Sequence, residues 1–134
     1  MSDLPDYHFR IRENGAAVFR IDTANRQRRI EMEQIATVHL GKGEIRPQGT
    51  RALTEEDLAE ITRWIEARRA LLARREIDEM HRTVEQLNLT AHWAQTRATP
   101  EQLDEVTDAL LLAMHDLRSV LVRKKADRTG PPET

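Results

Sequence analysis

Residues 100–126 read PEQLDEVTDALLLAMHDLRSVLVRKKA, and the fold turns on how this stretch can be covered. Leucine, valine, alanine and methionine occupy most of its helical wheel rather than a single stripe. A helix apolar on several sides has to be enclosed by the rest of the chain or by another copy of it. Its start is well marked, with Thr99 as cap, Pro100 at the first helical position and Gln102 at the third. Leu103, Val106, Leu110, Ala113, Leu117 and Val120 then recur at spacings of three and four, the seam of a paired helix. Leu111, Leu112, Met114, Leu121 and Val122 add a second apolar face.

Upstream, nothing between Thr50 and Thr99 is glycine or proline. Thr54 is a helix cap followed by Glu55, Glu56 and Asp57, acidic residues that suit the positive end of a helix. Leu58, Ile61, Ile65 and Leu72 form a first stripe with Trp64 beside it. Ala73, Ile77, Met80, Val84, Leu87, Ala91 and Ala94 form a second, out of phase with the first near Arg74 and Arg75. The helix therefore either rotates its buried face there or breaks. Its later part, from about Ile77, pairs with the 100–126 helix across a short turn, and its earlier part is left to cover a sheet.

That sheet is expected from the first third of the chain. Tyr7–Asp22 reads as a hairpin around Asn14-Gly15. A three-residue loop, Glu13 to Gly15, pairs Ile11 with Ala17, Phe9 with Phe19 and Tyr7 with Ile21. It gathers the large apolar side chains on one face, and burial of one face is what fixes register. Ile30, Met32, Ala36, Val38 and Leu40 share one parity, interrupted at Gln34, as one long strand or two short ones. A Lys42-Gly43 turn then sets Leu40 opposite Ile45, and Pro47 restricts the last strand to a sheet edge. The fold class is α+β: an antiparallel meander of about four strands over residues 1–53, an antiparallel helical hairpin over 54–126 in one folding unit with it, and a disordered tail over 127–134. The unmet apolar face of Leu111, Leu112, Met114, Leu121 and Val122 calls for two chains to associate as a four-helix bundle. Trp93, beside the inter-helix turn, is a packing or interface anchor.

Composition narrows the chemistry. The chain holds 134 residues, 39% hydrophobic and 33% charged, with a formal net charge of −2 that supplies no bulk attraction to nucleic acid or anionic membrane. Without cysteine there is no disulfide, thiolate ligand or cysteine nucleophile. The start, MSDLPDYHF, has no basic segment leading into an apolar run. No window reaches the roughly 20 apolar residues of a membrane span. A cytoplasmic protein without membrane contact is expected.

Three side-chain patterns are candidates for sites. Asp78, His81, Glu85, Asn88 and His92 lie on one helical face, and carboxylate-x-x-histidine is a spacing that di-iron bundles use. Glu105, Asp108 and His115 sit at compatible heights on the second helix. The inward positions are aliphatic, however, so this stripe reads first as a solvated face, and no metal or cofactor is assigned. Arg10, Arg12, Arg26, Arg28 and Arg29 offer an arginine-bearing sheet face for nucleic acid, but acidic residues are interleaved and no free aromatic is left for stacking. With serine only at Ser2 and Ser119 and no glycine-rich phosphate loop, an enzyme is not expected. The leading expectation is a non-enzymatic interaction module, a homodimer or higher oligomer that also meets another protein. A nucleic-acid-binding regulator ranks second and a metal-dependent bundle enzyme third.

Overall fold

A computed structural model describes residues 5–22, 30–49 and 52–130. The elements run β1 (Tyr7–Arg12), β2 (Gly15–Asp22), β3 (Glu31–His39), β4 (Glu44–Pro47), α1 (Glu55–Thr96) and α2 (Pro100–Thr129). The strands form one antiparallel sheet in the order β1-β2-β3-β4, leaving β1 and β4 at its edges. The class is α+β, with the sheet first and two long helices after it. The chain divides into two compact units, Met1–Asp78 and Glu79–Thr134. That division falls inside α1, which runs through Arg74 and Arg75 without a break.

In the first unit, α1 lays Ile61 and Ile65 on Val18, Ile35, Ala36 and Val38. Ile61 is fully enclosed, which stabilises the fold by about 1.5–3 kcal/mol relative to an exposed side chain. Trp64 stacks on Phe9, ring centroids 4.7 Å apart and 3° from parallel. Of the expected stripe Leu58, Ile61, Ile65 and Leu72, Ile61 and Ile65 meet the sheet, but Leu58 is exposed and Asp57, four residues before Ile61, takes the inward place of the first turn. Asp57 takes the inward place because the sheet offers it partners, and Leu58, one residue on, is rotated about 100° away.

The hairpin register differs from the expected one. Arg12 pairs with Gly15, Phe9 with Val18 and His8 with Phe19, so Glu13 and Asn14 make a two-residue turn. Gly15 is needed in the strand rather than in the turn. A Cβ there would sit 1.8 Å from the Val38 carbonyl oxygen, so only glycine permits β3 to approach. Phe9 and Phe19 consequently lie on opposite faces. Phe19 is still buried, with the Arg10 guanidinium 4.5 Å above its ring centroid and the His8 ring 6.1 Å away. A cation over the ring replaces the hydrophobic partner expected there.

A β-bulge corrects the parity of β3. Val18 pairs with Ala36 but Phe19 with Gln34, leaving Ile35 as the extra residue. Ile35 and Ala36 both join the core, whereas Met32, opposite Ile21, falls on the other face and is exposed, as is Ile30. The break in the pattern at Gln34 therefore marks a bulge within one strand. Between β3 and β4, Val38 rather than Leu40 faces Ile45, and residues 40–43 form the connection with Gly43 at φ 65°. Leu40 is drawn out of the ladder because its N–H donates to the Asn14 carbonyl over 2.9 Å.

In the second unit, α2 continues to Thr129, so Asp127, Arg128 and Thr129 belong to the helix and not to the expected tail. No breaker intervenes before Gly130, whose φ of 70° closes the helix.

Candidate interaction surface

The turn between the helices is built by the residues that announced it. The Thr99 N–H donates to Gln102 Oε1 over 3.0 Å, and the Gln102 N–H donates to Thr99 Oγ1 over 3.2 Å. This reciprocal cap satisfies two of the donors a helix start leaves open. Before it, the Arg97 and Ala98 amides both donate to the Trp93 carbonyl and end α1. Leu87, Ala91 and Ala94 of α1 and Leu103, Val106 and Leu110 of α2 line one groove beside this turn. Trp93, Ala98, Leu103 and Val106 are half-buried there.

Away from the turn the side chains of this unit meet solvent. No residue of α2 is buried. Leu111 is 59% exposed and Leu112 66%, and Met114, Leu117, Leu121 and Val122 are open as well. On the α1 side Met80, Val84 and Leu89 are exposed. Leu111, Met114, Leu121 and Val122 line a shallow apolar groove with His115 and Arg118. Of the expected interface residues, Leu112 lies outside that groove, and Trp93 lies by the turn with Leu89, His92 and Arg97.

The polar candidates do not converge. Asp78 is held by Arg74 at 3.0 Å, while His81, Glu85, Asn88 and His92 are exposed. His115 lies 3.4 Å from Asp116. Among the described residues no group of three or more His, Asp or Glu side chains is placed to hold a metal ion. Arg10 is engaged on Phe19 and Arg12 is exposed at the sheet edge; Arg26, Arg28 and Arg29 lie outside the described residues. No described helix is long and apolar enough to cross a membrane.

Among the described residues, a buried polar cluster with shifted protonation lies in the first unit. Asp57, 1% exposed, accepts from the Tyr7 hydroxyl at 2.7 Å, the Arg20 guanidinium at 2.5 Å and the Thr54 N–H at 3.0 Å. Its own N–H donates to Thr54 Oγ1 at 3.0 Å, completing a cap on α1. Burial alone would raise the Asp57 pKa, but the bonds from Arg20, Thr54 and Tyr7 outweigh it and hold the carboxyl well below its ordinary value. Tyr7 is pushed up to about 12 by burial and by the adjacent carboxylate. The sequence signals were available: Thr54-x-x-Asp57 has cap spacing, and Arg20 shares the parity of Val18. The Tyr7 and Arg20 bonds to Asp57 tie the first turn of α1 to β1 and β2, and the Thr54 bonds cap that turn.

Comparison with known proteins adds no relative: no family model, no curated protein and no solved structure matches this chain.

Proposed function

We propose that this chain is a non-enzymatic protein–protein interaction module that works as a homo-oligomer in the cytoplasm, as an adaptor, assembly factor or accessory subunit. The observation that carries the reading is the unburied apolar surface of α2, centred on Leu111, Met114, Leu121 and Val122. Monomeric proteins rarely leave contiguous apolar patches larger than a few hundred Å² in water. The sheet unit, with its own closed core, is then free to meet a different protein. The alternative is a nucleic-acid-binding regulator that uses the arginine-bearing sheet face, on which Arg10 sits over Phe19 and Arg12 is exposed.

Light scattering and sedimentation at micromolar concentration test the reading. The wild-type chain should be a dimer or larger. Leu111→Glu, which would set a carboxylate among the apolar side chains of the groove, should give a monomer or an unfolded chain, and Leu112→Glu should act in the same direction. A wild-type chain that stays monomeric and stable would refute it.

A further inference from the structure

The charges on α2 are segregated along its length. From Pro100 to Met114 there are four carboxylates, Glu101, Asp104, Glu105 and Asp108, and no cation. From His115 to Thr129 there are five cations, Arg118, Arg123, Lys124, Lys125 and Arg128, against Asp116 and Asp127. All of these side chains are exposed. The apolar groove of Leu111, Met114, Leu121 and Val122 lies across the boundary between the two halves. A parallel partner would bring acidic half against acidic half and basic against basic. An antiparallel partner opposes unlike charges at both ends while the apolar middle closes on itself, as an isologous twofold contact requires.

Resting on the self-association reading above, we propose that the partner seated on this groove is a second copy of the chain, its α2 antiparallel to the first and crossing near Met114. With the twofold axis between Met114 and His115, Asp104 is level with Lys125 of the second copy, and both lie on the helix face that carries the groove. Glu101 is level with Arg128 of the second copy. Leu111 is level with its Arg118, which is within one turn of Asp108. Each contact occurs twice, so one charge pattern on one helix specifies both ends of the interface. The apolar groove supplies affinity; the charge order supplies orientation.

The chain contains no cysteine, so a single spin label can be placed at the exposed, uncharged Ala126 through Ala126→Cys. In the antiparallel dimer Ala126 is level with Leu103 of the second copy, which puts the two labels about 35 Å apart along the axis, against about 10 Å for parallel helices. Pulsed electron resonance should give the longer distance. The double variant Asp104→Lys, Asp108→Lys should weaken association about tenfold or more at low salt, and adding Arg118→Glu and Lys125→Glu should restore it. A dimer with the short label distance, or a fourfold variant no tighter than the double one, would overturn the orientation while leaving the homo-oligomer in place. A wild-type monomer in sedimentation would overturn both.

Discussion

The hydroxyl of Tyr7 donates to the carboxylate of Asp57 over 2.7 Å, joining an edge strand to the first turn of a helix 50 residues away. Tyr7 is the chain's single tyrosine, so its ionisation can be followed by ultraviolet absorbance without interference from another. The titration should have its midpoint near 12 rather than the ordinary 10.0. The sign of the linkage follows. A pKa raised by folding means that the contribution is complete below pH 10 and is lost as the pH climbs to about 12. Stability measured by urea should fall across that interval in the wild type, and the Tyr7→Phe variant should lack that part of the fall.

Asp57 predicts the opposite limb. Its folded pKa lies below the ordinary 3.8, so its contribution is complete above that value and drains away as the pH falls through the folded one. Asp57→Asn removes the charge that Arg20 faces. Breaking a buried pair costs about 3–5 kcal/mol, and because Arg20 is a third exposed a loss of about 2–3 kcal/mol is expected at pH 7. Denaturant melts at pH 7 and at pH 3 should show the mutant penalty shrinking in acid. A constant penalty would mean that the ion pair contributes nothing.

The inward stripe of α1 can be tested against its neighbour. Ile61 is fully buried and Leu58 is 42% exposed, so Ile61→Ala should cost about 2–5 kcal/mol and Leu58→Ala less than about 1 kcal/mol. Equal losses in thermal or urea unfolding would place Leu58 in the core after all.

Gly15→Ala should be costly despite its small size. The added methyl meets the backbone of Val38 and not a movable side chain, so the loss should reach the upper end of the about 1–3 kcal/mol seen for overpacking, or exceed it. Circular dichroism and urea titration would measure it, and a variant as stable as the wild type would show that β3 can retreat.

Much of this was legible in the residues. The four strands, the two helices and the Thr99-Pro100-x-Gln102 start depend on local chemistry that each segment carries within itself. The register of β1 on β2 does not. Gathering the apolar side chains on one face points to a different register, but the pairing is set by Gly15 lying against Val38, a residue 23 positions later that no turn rule consults. The bulge at Ile35 is similar: the irregularity at Gln34 was visible, but only the pairing with Val18 and Phe19 shows which residues change face. Asp57 looked like a first-turn acid with a dipole role because its partners, Tyr7 and Arg20, come from a different region of the chain. The apolar excess on α2 was readable from the pattern of residues 100–126, which places leucine, valine and methionine around most of the helix.

An open sheet in the order β1-β2-β3-β4 has two borders where the backbone can template another strand. Pro47 closes off part of the β4 border, for it has no amide hydrogen to offer. The β1 border has no proline, and there Arg10 and Arg12 act as gatekeepers. Two copies laid edge to edge through β1 would crowd four guanidinium groups on one face and would have to lift Arg10 from Phe19. Runaway strand addition through this border, and with it an open fibre, is thereby discouraged.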